Sequence, residues 1–210
     1  MTLILDLLSV NVGRPAHLGM WQGEPIVSSI AKVPVRAETV GVGASNIEGD
    51  EQADLSVHGG LDKAIYAYPA DHWPWWQTEA GFEARPAAFG ENLTLRGAGE
   101  EAVRIGDEFT WGEARLQVSE PRAPCFKFVM HSGRADFGAR MTVSARTGWY
   151  FRVLETGRAP VRGPLTRVVT QAASPSVPTC VAIWTPSAKS AMEPKARPAT
   201  ISTIKNKAVR

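Results

Sequence analysis

The sequence predicts a mainly β fold, a barrel or a sandwich, with a few short helices and an irregular C-terminal tail. Its apolar residues fall in short runs of β type and not in long amphipathic stretches. Glycines punctuate those runs throughout the first 170 residues. The last forty residues hold five prolines and nine serines or threonines, a composition that resists packing into a core. At 210 residues, 44% hydrophobic and 21% charged, the chain suits one domain plus a small appendage.

Taken in order, Leu3 to Val12 is apolar enough to open the fold as a strand. Ile26 to Val35 alternates loosely and closes at Pro34. Ala64 to Tyr68 is a compact apolar run stopped by Pro69. A helix is expected over Asp71 to Ala80, with Asp71 as N-cap, Pro74 in the first turn and Gly81 as the stop. Trp73 and Trp76, three apart, share a face of it, and core packing is the reading preferred over ligand stacking. Ala114 to Ser119 is the clearest strand, since Ala114, Leu116 and Val118 alternate with Arg115, Gln117 and Ser119. Trp149 to Leu154 and Leu165 to Thr170 complete the set.

Residues 1–170 are therefore read as the β domain, and 171–210 as a Pro/Ser-rich basic tail without helical periodicity. The tail carries six basic residues (Lys189, Lys195, Arg197, Lys205, Lys207, Arg210) against one acid, Glu193. The whole chain is only +2, too little to argue for nucleic acid or an anionic membrane. Cys125 and Cys180 lie far apart with no paired spacing, which argues against a disulfide framework or a zinc site. The N-terminus lacks the basic region of a signal peptide, and no uncharged apolar run reaches about 18 residues. The expectation is a cytoplasmic protein with reduced thiols.

Several enzyme classes drop out. Gly41-Val42-Gly43 lacks the third glycine of a dinucleotide fingerprint, and there is no P-loop, H-E-x-x-H or G-x-S-x-G. The four histidines, His17, His58, His72 and His131, are scattered. What remains is Ser119 to Lys127, where two prolines stiffen the exit from a strand and deliver Cys125 with little freedom to lose. Arg122 and Lys127 beside it favour a thiolate, which is both a soft metal ligand and a nucleophile. A buried inert cysteine is the alternative on these residues alone. The Glu48 to Lys63 run joins acids, Gln52, His58 and the Gly59-Gly60 pair, either as a solvated loop and turn or as an anion-approaching backbone.

In order along the chain stand G-D-E-Q-A-D-x-x-V-H-G-G (Gly49 to Gly60), A-F-G-E-N-L (Ala88 to Leu93), I-G-D-x-F-x-W-G-E-A (Ile105 to Ala114) and P-R-x-P-C-F-K (Pro121 to Lys127). Together they resemble the MOSC domain family, and within it the YiiM-like branch associated with hydroxylaminopurine resistance, over roughly residues 5 to 170. The resemblance implies a MOSC-type β-barrel whose cleft binds a molybdenum cofactor (molybdopterin) with Cys125 as the molybdenum ligand. It implies Lys32, Gln52, Gly59, Asn92, Arg122, Lys63 and Arg140 as cofactor contacts, the basic ones meeting phosphate or pterin. Asp50, Asp54 and His58 are the catalytic candidates beside Cys125. His58 either protonates or orients substrate or braces the glycine turn.

The implied activity is reduction of N-hydroxylated compounds such as N-hydroxylated purine bases. Expected partners are that small substrate and an external electron-donating reductase, since no flavin, haem or nicotinamide motif is present. No nucleic-acid polymer and no membrane is expected, and a homodimer is left open. Two alternatives stand: a sulfur carrier using a Cys125 persulfide, in a family also linked to pyridoxal-phosphate proteins, and a non-catalytic cofactor carrier. One departure is plain. The YiiM-like branch continues into a small three-helix module, where this chain turns Pro/Ser-rich and basic from Gln171.

Overall fold

A computed structural model describes residues 2–53 and 59–184. Its strands are β1 (Ile4–Val12), β2 (Ala16–Trp21), β3 (Glu24–Ser28), β4 (Val33–Pro34), β5 (Thr39–Val42), β6 (Ile65–Pro69), β7 (Leu93–Arg96), β8 (Glu108–Trp111), β9 (Ala114–Pro121), β10 (Trp149–Glu155), β11 (Gly157–Pro160) and β12 (Gly163–Val169). The helices are α1 (Trp73–Ala80), α2 (Phe126–Ser132), α3 (Phe137–Ser144) and α4 (Val177–Trp184).

Seven strands close into a barrel in the order β1, β12, β8, β9, β10, β6, β7 and back to β1. A ring of seven cannot alternate direction all the way round, so one neighbouring pair must be parallel. That pair is β6 and β7, with Ala67 beside Leu93 and Pro69 beside Leu95. A parallel pair needs a long crossover, and the chain supplies it with α1 and the loop to Leu93. Bulges such as that between Leu7 and Ser9 on β1 give the local bend that closure requires.

The expected alternation on β9 is borne out. Ala114, Leu116 and Val118 are buried in the barrel with Leu5, Leu7, Phe109, Trp111, Trp149 and Phe151. β6 is buried on both faces. Ile65 and Ala67 point into the barrel, while Tyr66 and Tyr68 join a second, outer core with Trp76, Phe89, Phe128 and Phe137. That outer core holds α1, α2 and α3 against the barrel wall. Tyr68 stacks on Phe89 with centroids 3.9 Å apart, and the Trp76 indole donates to the Tyr68 hydroxyl. Core packing is thus the role of Trp76, and Trp73 packs half-buried at its edge.

Three expectations need correction. Asp71 does not cap α1, because a 3-10 turn over Ala70–His72 moves the cap to His72. The Asp71 carboxylate accepts the Gly97 N–H instead. Gly81 does end the helix, in the left-handed conformation. The stretch Ile26 to Val35 is not one strand: β3 stops at Ser28 and β4 starts at Val33. The intervening turn, closed by the Lys32 N–H donating to the Ile30 carbonyl, sends residues 29–32 away from the sheet. Finally, the described part of the segment expected to be irregular, residues 171–184, contains α4, while residues 185–210 lie outside the described residues. Val177 and Val181 are buried, and the Val177 N–H donates to the Val103 carbonyl. Asp107, fully buried, accepts from Gln171 N–H, Arg104 N–H and Arg167, tying that segment to the barrel. Among the described residues no helix is long and apolar enough to cross a membrane.

Candidate functional site

On the outer side of the barrel wall the residues 29–32 turn, the loop around Asp50, the ends of β6 and β10 and the exit of β9 enclose a cleft. It contains about 640 Å³ of space, part of it open to solvent. Cys125, Arg122, Lys32, Asp50, Gln52, Asn92 and Lys63 all line it. Seven candidates from four separated stretches of sequence therefore meet at one place. Tyr66, Tyr150, Gly90, Ser28, Ser29, Ile30 and Lys127 line it too.

Cys125 is the N-cap of α2, in extended conformation and partly exposed. The Ala123-Pro124 approach and the start of α2 fix its backbone, and its carbonyl accepts the Phe128 N–H. It is not in a disulfide. Arg122 is 5% exposed, a costly position for a cation. Its guanidinium lies over the rings of Phe128 and Tyr66 at 4.8 and 5.4 Å, within hydrogen-bonding reach of Tyr150, with the Met141 sulfur at 3.6 Å. Among the described residues no carboxylate pairs with it. Burial works against its charge, while Tyr66, Cys125 and Tyr150 lift its pKa. Its backbone N–H donates to the Gly148 carbonyl. Gly148 has φ +65°, and a Cβ there would stand 2.2 Å from the Ala67 carbonyl, so only glycine lets β6 and this turn meet.

Lys32 is buried in an ion pair with Asp50. Burial pushes its pKa down, and Asp50 pulls it back up. Asp50 also accepts the Gly13 N–H at 2.8 Å and the Asn92 amide at 2.8 Å. Asn92 in turn accepts the Tyr66 N–H and donates to the Asn11 carbonyl. Asp50 and Asn92 are thus bonded within the protein and act as the frame that holds Lys32. Gln52 donates to the Ser45 and Lys63 carbonyls, and Lys63 pairs with Glu120 at 3.8 Å.

Two candidates do not join the site. Gly59 is not among the lining residues. Arg140 sits on α3, donating to Asp136 and to the Glu79 carbonyl, and so braces α3 against α1; its position on the helix, not its charge, decides this. Asp54 and His58 lie outside the described residues.

Three residues were not singled out beforehand. Tyr66 and Tyr150 sit in apolar runs read as core strands, but they occupy the phase opposite to the barrel-facing Ile65, Trp149 and Phe151. A hydroxyl-tipped aromatic in the outward phase of a two-faced strand is the signal that could have found them. Glu91 is fully buried beneath the Gly90 wall. Burial raises its pKa to about 7, although Thr94, Ala87 N–H and Phe89 N–H all donate to it.

Among the described residues the cleft is lined by four cations, Lys32, Lys63, Arg122 and Lys127, and two carboxylates, Asp50 and Glu51. A buried guanidinium without a carboxylate fits a ligand that brings its own anion. Among the described residues no group of three His, Cys, Asp or Glu side chains is placed to hold a metal.

A closed β-barrel with a cationic cleft around one stiffly held cysteine defines the class. The MOSC domain matches residues 54–166, and the chain belongs to the MOSC domain family. It is 46% identical over 156 residues to YflK of Bacillus subtilis, covering 73% of this chain and 68% of that protein. It is 40% identical to YiiM of Escherichia coli, covering 69% of this chain and 64% of YiiM. A Gibberella moniliformis protein named Reductase is 39% identical over 72% of this chain, which is only 27% of that longer protein. The crystal structure of YiiM from Geobacillus stearothermophilus superposes with a TM-score of 0.70 at 33% identity, covering 86% of this chain and 83% of that one.

Proposed function

We propose that this protein binds a molybdenum cofactor through Cys125 and reduces N-hydroxylated compounds such as N-hydroxylated purine bases. The observation that carries the reading is the meeting of Cys125 with a buried Arg122, which pairs with no carboxylate among the described residues, in a cation-lined cleft of a MOSC barrel. Converting R–NHOH to R–NH2 and water consumes two electrons and two protons. When bound, the cofactor supplies the electron pair and the acceptor for the departing oxygen.

The chain's own residues do the rest. Cys125 offers its sulfur at the N-cap of α2, where a soft or high-valent metal would find a matching ligand. Arg122, Lys32, Lys63 and Lys127 bind the anionic part of the cofactor and orient it. Asp50 holds Lys32 in place. Burial raises the pKa of the Tyr150 phenol, so Tyr150 keeps its proton near neutrality and remains a neutral donor beside Arg122. Protonation of the leaving hydroxyl falls to Tyr150, with Asp54 and His58, which lie outside the described residues, as the candidates that the family resemblance adds. Electrons come from an external reductase, a reading supported by the Gibberella Reductase, in which the homologous segment is joined to a much longer chain.

Metal and pterin analysis of the purified protein and of Cys125→Ser tests the proposal, together with anaerobic turnover of an N-hydroxylated purine by a chemical reductant. Near-stoichiometric molybdenum, lost in the variant, with amine formed only by the unmodified protein, is the expected result. A protein that takes up no molybdenum and carries a persulfide on Cys125 would overturn it in favour of sulfur transfer.

A further inference from the structure

Arg122 and Tyr66, which both line the cleft, are bonded to the turn of residues 146–148 that joins α3 to β10. The Tyr66 hydroxyl donates to the Thr147 carbonyl at 2.8 Å, and the Arg122 N–H donates to the Gly148 carbonyl at 3.3 Å. Tyr68 holds the start of the same turn through the Arg146 carbonyl at 3.2 Å. A further grip comes from a residue that does not line the cleft. The Glu100 carboxylate accepts the Gly148 N–H at 2.7 Å. Glu100 is 2% exposed, and a carboxylate so deeply buried needs partners for both its oxygens. The second oxygen faces Nε2 of His72 at 2.5 Å. A carboxylate can only accept, so that ring nitrogen carries the proton. His72 keeps 13% of its side chain in solvent.

The Thr147 carbonyl and the Gly148 N–H belong to one peptide unit, which is planar and rigid. Tyr66 therefore holds one end of that plane and Glu100 the other. With the Glu100 bond gone, the plane is free to tilt. The Tyr66 hydroxyl and the Gly148 carbonyl that takes the Arg122 N–H then lose their fixed places. We propose that Glu100, held in turn by His72, is a positioning residue for the cleft, fixing the 146–148 turn and through it Arg122 and Tyr66. The bonds run without a gap from the His72 ring at the surface, through Glu100 and Gly148, to the Arg122 backbone. Neither Glu100 nor His72 touches the ligand, and both act on it only through the turn. The inference rests on the cleft being the ligand site proposed above, but not on the reaction carried out there.

Replacing Glu100 opens a gap in the interior, so the test changes His72, whose side chain reaches solvent, in the full chain. His72→Ala leaves one Glu100 oxygen without its donor, whereas His72→Gln returns an amide N–H toward the place of Nε2. Both variants lose the edge-on ring contact with Tyr68, so the difference between them isolates the hydrogen bond. Amide hydrogen exchange, resolved by NMR, is expected to run about tenfold faster at Gly148 and Arg122 in His72→Ala, as loss of one hydrogen bond to a charged group implies. In His72→Gln it should stay within about twofold of the unmodified protein. Amides of β1 and β8, which pair with neither β6 nor β10, should keep their rates in both. The pterin content of the purified proteins should fall severalfold in His72→Ala and return in His72→Gln. Unchanged exchange at Gly148 and Arg122 in His72→Ala overturns the proposal. So does equal acceleration of all amides, which would make the pair a general brace of the fold. Full pterin content despite faster exchange at Gly148 also overturns it, because the turn would then not govern the site. An unmodified protein without pterin would remove the proposed cofactor, and the exchange rates alone would then decide whether Glu100 positions Arg122.

Discussion

Glu91 shows how a single residue can tie the stability of the site to pH. It has no solvent exposure, and burial raises its pKa from 4.5 to about 7. The folded state therefore holds a proton that the unfolded chain releases above pH 4.5. Stability is greatest below that value, falls as pH rises toward 7, and levels off above. A shift of this size corresponds to about 3 kcal/mol across the window. Urea unfolding at pH 4.5 and pH 8 should show that fall for the unmodified protein. Glu91→Gln should be flatter across the same window. It should also be less stable below pH 4.5, because one amide oxygen cannot serve three converging donors from Ala87, Phe89 and Thr94. An equal pH slope in both proteins would assign the dependence to other groups.

Among the elements, β6 decides both how the helices dock and how the cleft is walled. Its five residues are all buried, because Ile65 and Ala67 fill the barrel while Tyr66 and Tyr68 anchor the outer core. Trp76 on α1 is fully buried against Tyr68, Phe89 and Phe137. Trp76→Ala should cost about 3–5 kcal/mol in urea unfolding, whereas Trp73→Ala, at the half-buried edge, should cost considerably less. Equal losses would mean that the outer core is not the clamp on α1. The same strand explains what could be read from sequence. β1, β9, β10 and β12 were legible because alternation or apolar runs mark their buried faces. β6 was legible as a strand, but its outward tyrosines were not legible as cleft wall, since a continuous apolar run hides which residues face which side. The break between β3 and β4 was missed for a related reason. Ser29 to Lys32 reads as a loosely alternating extension, and only the pairing of β4 with β1 through Asn11 and Val12 shows that the chain has turned. Cys125 and Arg122 were legible from two prolines and a charge. The Asp50–Asn92 frame was not, because it joins residues 42 apart in sequence.

At the scale of the whole molecule, the domain does not end where the composition changes. The prolines and serines after Gln171 mark a change of character, yet Asp107, Val103 and Arg104 all hydrogen-bond to the described part of that segment. Arg104 donates to the Ser174 carbonyl at 2.7 Å, and the Ile105 N–H donates to the Pro175 carbonyl. Val177 then enters the barrel core itself. Periodicity failed to signal α4 because so short a helix buries only Val177 and Val181 among its described side chains, too few to stand out beside flanking prolines. If α4 closes the barrel, its loss must be felt by the whole fold. Val177→Ala should lower global stability by about 2 kcal/mol in a single cooperative transition. Hydrogen exchange should report the same loss in β1 and β9 as in residues 171–184. Faster exchange confined to residues 171–184, with β1 and β9 unchanged, would make the segment an appendage that opens on its own, and the barrel would then be complete at β12.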